Sequence, residues 1–249
     1  MAHLLKNAKG MLATVSAAEG LPAACRARVE AGILKWVPVT AEYVATYDKY
    51  LEFVTSTIES HVEEVNTEET TLKDVKKSLL YHTNRIDEVL KELPAKVQIG
   101  IFAIDCRSIR EFLSKKHQEI QAALQQLVAT QAMDKCKAIC AQMDEMKAGV
   151  SKPARNPEHA VELRQYFKTV TDNVGNLRPE IAELPAYCEL LDEFLHMLPD
   201  EEDKWRWTTY SWPLKMEEEI EKGIERCEES ENAFQSMMVA KQQSFAKEI

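Results

Sequence analysis

Apolar residues recur along most of this chain at intervals of three and four positions, the spacing of one face of an α-helix. The most regular stripe lies within residues 72–93 and predicts a helix of about six turns. A similar stripe over residues 43–65 precedes it, and the polar segment NTEET separates the two. Within this segment, Asn66 and Glu69 have the spacing of a capping box. The pattern therefore predicts two helices joined as an antiparallel hairpin.

Later stripes predict three more helices, over residues 109–146, 163–198 and 216–238. Gly149 and the segment VSKPARNP end the first of these and form the clearest linker in the chain. Asn156 is followed by a proline and an acidic residue, which is the pattern of a new helix N-terminus.

Prolines interrupt the last two stripes. Pro179 and Pro185 lie inside the stripe of residues 163–198 and predict a kink or a break there. The segment MLPDEED predicts a second stop and restart, with Asp200 as the N-cap. Pro213 is expected to begin the last helix and to add a bend.

The segment VQIGIFAIDC departs from the helical pattern because β-branched residues and a phenylalanine form a short apolar run in it. It predicts an extended connector near residues 97–104, which forms a β-strand if a second segment pairs with it. Gly100 would relax the backbone, and Asp105 would cap a helix that begins near Arg107.

The predicted fold is therefore all-α: an elongated bundle of five to six long helices with short connectors and one short extended segment. Only 7 glycines and 9 prolines among 249 residues favour long helices over a turn-rich sheet. The expected division is an N-terminal helical segment, a hairpin, a connector with a long helix, and a continuation of the bundle, all within one continuous module. These parts are predicted to cover residues 1–40, 41–95, 96–150 and 151–249.

Charge and cysteine content exclude several classes of protein. A net charge of −10 argues against nucleic acid as the main partner, because phosphate binding needs a basic face. No apolar run approaches the length of a membrane-spanning helix, so no membrane contact is expected. Cys136 and Cys140 lie one helical turn apart, but neither a second pair nor a histidine follows at zinc-site spacing. The six cysteines are predicted to be reduced and mostly buried thiols.

No enzymatic motif is present, and neither a cofactor nor a metal is expected. All seven glycines are isolated, which rules out both the P-loop and the dinucleotide-binding glycine pattern. A bundle enzyme with a carboxylate metal site would need Glu-x-x-His on two helices, and the chain lacks this. His61 and His82 fall on apolar stripes, where a core histidine is the favoured interpretation over a metal ligand.

Two neighbouring features are candidates for protein–protein contact. The segment WRWTTYSW holds Trp205, Trp207 and Trp212, although such a cluster can also wedge a junction between helices. The acidic run that follows includes Glu217, Glu218 and Glu221, and it suits either a docking face for a basic partner or a solvated helix face.

Three separated segments resemble the tails of dynein heavy chains, in the order and with the spacing that the family has. They are VQIGIFAIDCRSIREFLSKK, NPEHAVELRQYFKTV and LLDEFLHMLPDEEDKWRWTTYSWPLKMEEEIE. The resemblance covers roughly residues 40–249 and is closer to axonemal than to cytoplasmic heavy chains, with an inner-arm type favoured. It implies a tail or stem segment ahead of the linker, whereas the nucleotide motifs of the motor ring would lie elsewhere in such a heavy chain.

This resemblance also implies partners and a location. The partners would be intermediate or light chains, a neighbouring heavy chain and axonemal docking proteins, and contact with the microtubule would be indirect. The location would be the cytoskeleton of the ciliary or flagellar axoneme. The alternative interpretation of the same pattern is an unrelated cytoskeletal scaffold or adaptor protein built from a helical bundle.

Overall fold

A computed structural model describes residues 20–67 and 69–248 of the chain. It confirms an all-α fold with one short extended segment. The α-helices are α1 Gly20–Leu34, α2 Val37–Ala45, α3 Leu51–Thr55, α4 Ile58–Val65, α5 Leu72–Glu92, α6 Arg107–Val150, α7 Pro157–Glu193 and α8 Asp200–Glu248, and the strands are β1 Lys96–Ile99 and β2 Phe102–Asp105.

The described chain forms two compact units. The first unit holds residues 20–61 and 80–120, and the second holds residues 62–67, 69–79 and 121–248. The predicted boundaries after residues 40, 95 and 150 remain predictions, and residues 1–19 of the predicted N-terminal segment lie outside the described residues.

The prediction of one helix over residues 43–65 is wrong. The stripe is divided among α2, a 3₁₀ turn, α3 and α4. Ser56 ends α3 with an extended backbone, and its hydroxyl donates to the carbonyl of Phe53 at 2.8 Å. Thr57 then caps α4, because its hydroxyl accepts the backbone N–H of Ser60. Apolar spacing alone predicts one continuous helix here, but hydroxyl side chains that hydrogen-bond to the nearby backbone divide it.

The predicted extended segment is a two-stranded antiparallel hairpin, in which Ile99 pairs with Phe102. The segment therefore pairs with itself across the turn of Gly100 and Ile101. Gly100 has φ +58°, which the first turn residue of a type II′ hairpin requires. A Cβ at Gly100 would lie 2.2 Å from the ring of Trp36, so close packing also demands glycine here.

Side-chain caps begin both helices that flank this hairpin. Asp105 accepts the backbone N–H of Arg107 at 3.1 Å, as predicted. The helix α5 uses a different cap from the predicted pair of Asn66 and Glu69. The carboxylate of Asp74 accepts both the backbone N–H and the hydroxyl of Thr71, because α5 begins at residue 72.

The second unit has a continuous apolar core between α6, α7 and α8. Its largest fully buried side chains include Ile139, Met143, Leu184 and Met216. Five of the six cysteines of the chain are buried and all are unpaired thiols, as predicted.

The prolines do not end these helices. Pro179 and Pro185 lie inside α7, and Pro213 lies inside α8 rather than at its start, which corrects that prediction. Thr209 and Trp212 are both buried and fix α8 to the core just ahead of Pro213, while Met216 fixes it one turn beyond. Packing on both sides thus outweighs the loss of one backbone hydrogen bond.

The sequence signals match α7 at its N-terminus, whereas the predicted stripe to residue 198 runs past its C-terminus at Glu193. Asn156 caps its N-terminus and accepts the backbone N–H of His159 at 2.7 Å, as predicted. At the other end, the N–H groups of Leu195 and His196 donate to the carbonyls of Asp192 and Leu191. This is a Schellman motif in which Leu195, at φ +56°, occupies the position that glycine usually takes. The helix α8 restarts where predicted, but Asp200 is its first residue and not its N-cap, because the backbone N–H groups of Glu202 and Asp203 donate to the carbonyl of Pro199.

Candidate docking surface

All six residues predicted to contact a partner lie on α8, but they point in different directions. The side chain of Trp207 is 59% exposed, whereas that of Trp212 is only 6% exposed and belongs to the core of the second unit. Trp205 is partly exposed and shares the inward stripe of Trp212, because the two lie seven residues apart. A helix junction does not explain the aromatic cluster, since α8 is continuous through it.

Trp207 is held in place on the surface by its neighbours. Its indole N–H donates to the carboxylate of Asp203 at 3.0 Å, one turn earlier on α8. The ring of Tyr210 meets it edge-on at 5.9 Å, and the guanidinium of Arg206 lies 5.3 Å from its centre. An aromatic side chain that is fixed in this way loses little entropy when a partner covers it.

The three glutamates differ in how they are paired. Glu217 forms an ion pair with Arg178 of α7, so that it joins two helices of the second unit. Glu218 lies 3.8 Å from the ammonium of Lys222, and Glu221 is exposed. Exposed ion pairs of this kind contribute little to stability, so Glu218 can exchange its partner at low cost.

One surface of α8 combines three exposed members of the predicted set with one further exposed residue. Trp207, Leu214, Glu218 and Glu221 follow one another at intervals of seven, four and three residues, and all four are exposed. We call these four residues the outer stripe. Leu214 was not among the predicted residues, although its distance of seven residues from Trp207 was a signal that it shares that face. The outer stripe offers two apolar side chains followed by two carboxylates, which suits an amphipathic partner with basic residues.

The structure also brings together three histidines of the first unit. Nδ1 of His82 lies 2.8 Å from Nδ1 of His117, and the two side chains are only 3% and 4% exposed. His61 meets the ring of His82 edge-on at 5.8 Å, and its Nε2 lies 2.9 Å from the hydroxyl of Ser56. Burial is the main cause that lowers the pKa of His82 and of His117 to about 4, so both are neutral at pH 7.

Lys116 lies next to this cluster and is also buried. Its ammonium donates to the carbonyls of Phe53, Val54 and Ser56 at 2.5, 3.0 and 2.5 Å. These carbonyls end α3, where a cation is favoured by the orphan acceptors of the helix terminus. Burial lowers the pKa of Lys116.

His82 is a core histidine, as predicted, but its pairing with His117 was not predicted. Three helices, α4, α5 and α6, contribute one histidine each. The apolar stripes marked the first two positions. His117 also lies on the apolar stripe of α6, four residues after Leu113 and three before Ile120, and this signal was missed.

The described residues carry no group of three histidine, cysteine or carboxylate side chains with the geometry of a metal site. Among the described helices, none combines the length and the apolar content that a membrane crossing requires.

Comparison with known proteins identifies three similar sequences. Dynein axonemal heavy chain 1 of Homo sapiens is 23% identical over 239 residues, and that of Mus musculus is 22% identical over the same length; each match covers 96% of this chain. Dynein axonemal heavy chain 1 of Rattus norvegicus is 18% identical in an alignment of 217 positions, and this match covers 71% of this chain. The chain spans about 6% of the length of the human and mouse proteins. No protein-family model matches the chain.

Proposed function

Since this chain is a relative of the axonemal dynein heavy chains, we propose that it acts as a structural tail segment of such a heavy chain. In this role it is a helical strut that helps to anchor and position an ATP-driven microtubule motor in the axoneme of a cilium or flagellum. The observation that carries the proposal is a sequence similarity that extends over 96% of the chain.

The packing of the second unit supports a mechanical role. Its core is continuous along α6, α7 and α8, and apolar side chains of all three helices fill it. Arg164 of α7 forms a bidentate contact with Glu231 of α8, with N–O distances of 2.9 and 2.7 Å. A continuous core of buried side chains deforms little under load, which suits a part that transmits force.

The proposed role requires no chemistry from this chain. Nucleotide hydrolysis would belong to other parts of the heavy chain, because the isolated glycines here cannot form a phosphate-binding loop. We therefore expect the purified chain to show neither ATP hydrolysis nor a thermal shift with ATP. Hydrolysis that copurifies with the chain through several columns would contradict the proposal.

The outer stripe is the proposed contact with other subunits. Its two apolar residues and two carboxylates suit a basic amphipathic helix, and we propose dynein intermediate or light chains, a neighbouring heavy chain or an axonemal docking protein as the source. Contact with the microtubule would then be indirect, through these partners. An inner-arm type and a position ahead of the linker remain part of this proposal.

Chemical crosslinking tests this contact directly. The full chain, carrying an affinity tag, is incubated with a salt extract of axonemes, crosslinked and examined by mass spectrometry. We expect crosslinks to identified dynein subunits, and the double substitution Trp207→Ala with Leu214→Ala should reduce their recovery at least tenfold, since each side chain that a partner buries contributes roughly 1 kcal/mol or more.

Val161→Ala is the matched control, because Val161 is an equally exposed apolar residue on α7, outside the outer stripe. It should leave the recovery unchanged. Crosslinks only to cytoskeletal proteins outside the dynein complex would contradict the proposal and favour a scaffold or adaptor. Equal recovery with the double variant would contradict the assignment of the outer stripe.

A further inference from the structure

We propose that the buried pair of His82 and His117 is a proton-sensitive latch in the first unit. While both imidazoles are neutral, the pair holds the segment Leu51–His61 against α5 and α6, and it releases this segment when it gains a proton. The proposal concerns the first unit alone and does not depend on the proposed function.

The hydrogen-bond geometry makes the pair sensitive to one proton. The two Nδ1 atoms lie 2.8 Å apart, so one ring donates its Nδ1–H and the other accepts at an unprotonated Nδ1. When the accepting ring gains a proton, two N–H donors face each other at this distance. The hydrogen bond is then lost and replaced by repulsion between a donor and a cation.

The segment Leu51–His61 depends on these two rings for its position. The ring of Phe53 stacks on His117 with a centroid distance of 4.1 Å, and His61 meets His82 edge-on at 5.8 Å. Lys116, the residue before His117 on α6, donates to three carbonyls at the end of α3. A movement of His117 therefore disturbs both the stacking on Phe53 and the lysine that caps α3.

The charges around the pair offer no compensation for an added proton. The groups of the described chain whose charges act on it are His61 of α4, Arg85 of α5 and Lys116 of α6, and all of them are positive when protonated. The nearby carboxylates are engaged with these cations: Glu88 pairs with Arg85 at 2.6 Å, and Glu119 acts on Lys116. The phenol ring of Tyr81 faces His82 edge-on and carries no charge.

The pH window follows from the direction of the shifts. Burial holds the pKa of both imidazoles at about 4, whereas a released histidine has the ordinary value near 6.5. The released segment therefore binds protons more tightly than the latched one. Latching is at full strength above about pH 6.5 and weakens as the pH falls towards 4.

Hydrogen–deuterium exchange of the full chain tests the latch. We expect peptides that cover residues 51–61 to lose protection about tenfold or more between pH 7.5 and pH 5.5, after correction for the intrinsic exchange rate at each pH. Peptides from the middle of α7 should keep their protection over the same range. Unchanged protection of residues 51–61 would overturn the proposal.

The double substitution His82→Asn with His117→Asn removes the titrating groups and keeps an amide near the position of each Nδ1. In this variant the loss of protection between the two pH values should shrink to about twofold or less. His196→Asn, a histidine of the second unit, is the matched control and should retain the full loss. A double variant with the same pH dependence as the unsubstituted chain would refute the latch.

Nuclear magnetic resonance of the unsubstituted chain keeps the test decisive if the double variant does not fold. The ring nitrogen signals should show one Nδ1–H tautomer and one Nε2–H tautomer at pH 7.5. Protonation of the His82 and His117 rings should coincide with the loss of the native amide signals of residues 51–61. Protonation of either ring near pH 6.5 with those amide signals unchanged would contradict the proposal.

Discussion

The two units of this chain bury different kinds of side chain. Of the buried polar side chains in the described residues, only Thr209 lies in the second unit, whereas His82, Ser114, Lys116 and His117 lie in the first. The second unit fills its core with leucine, isoleucine, methionine and cysteine from long helices. The first has a smaller apolar cluster around Val89, Leu93 and Leu113, beside the histidines.

This difference separates two sources of stability. Apolar packing stabilises the second unit in proportion to the area buried, and it tolerates apolar substitutions that keep the volume of the core. In the first unit, short elements are held by a few specific hydrogen bonds to buried groups, and the loss of one partner leaves another unsatisfied. The first unit is therefore expected to respond to pH and the second to respond mainly to the volume of its core.

The largest effect is expected from a cavity in the second unit. Leu184 is fully buried, so Leu184→Ala should lower the free energy of unfolding by about 2–5 kcal/mol in urea titrations. Leu214→Ala removes the same atoms from an exposed position of α8 and should change the free energy of unfolding by less than about 0.5 kcal/mol. Equal effects of the two substitutions would show that the core is not where the structure places it.

Substitution of Lys116 tests whether hydrogen bonds to buried polar groups stabilise the first unit. Lys116→Met keeps the aliphatic stem but removes the ammonium donor from three carbonyls. The carbonyl of Phe53 keeps the hydroxyl of Ser56 as a donor, and the substitution should cost about 1–3 kcal/mol in the same titrations. The neighbouring Lys115 is exposed and forms an exposed ion pair with Glu119, so Lys115→Met should cost less than about 1 kcal/mol. If Lys116→Met left the free energy of unfolding unchanged, other donors would have to satisfy these carbonyls.

The hairpin turn should be sensitive to a single methyl group. Gly100→Ala meets both a positive φ and the ring of Trp36, and we expect a loss of about 1–2 kcal/mol. Gly175→Ala places the same methyl group in open space on α7 and should raise stability by up to about 1 kcal/mol through helix propensity. Thermal unfolding of both variants measures the contrast, and a stabilising Gly100→Ala would contradict the turn geometry.

The smallest effect is a gain in stability at the end of α7. Leu195 is 88% exposed and has φ +56°, so Leu195→Gly removes backbone strain and little packing, and should add about 0.5–1 kcal/mol. Met197 is as exposed but lacks the positive φ, so Met197→Gly should bring no gain. Thermal unfolding distinguishes the two, and a destabilising Leu195→Gly would show that the leucine side chain stabilises the connection.

The sequence predicted the long helices well, because their apolar stripes are long enough for the period of 3.6 to be unambiguous. It also placed the break before Asn156 and the cap at Asp105, where the local chemistry is strong. The prediction was wrong over residues 43–65, where the stripe continues but hydroxyl side chains end the helices. The signal at Thr57 was present in the sequence and was outweighed by the apolar spacing.

The candidate sites were predictable only in part. Apolar positions four residues apart, Trp212, Met216 and Ile220, could have assigned Trp212 to the core, and the spacing from Trp207 could have added Leu214 to the surface. The histidine pair could not be found in this way, because 35 residues and a hairpin separate His82 from His117. Only the packing of α5 against α6 in the first unit brings them together.

The most direct test of the proposed function is the position of the protein in the cell. The chain, tagged at its own locus, is located in isolated cilia or flagella by cryo-electron tomography with a density label, beside the dynein arms of the doublet microtubules. We predict that the label lies at the dynein arms and is absent from axonemes whose arms have been extracted with salt. A protein found only outside the axoneme, or one that stays on extracted doublets, would contradict its assignment as part of an axonemal dynein heavy chain.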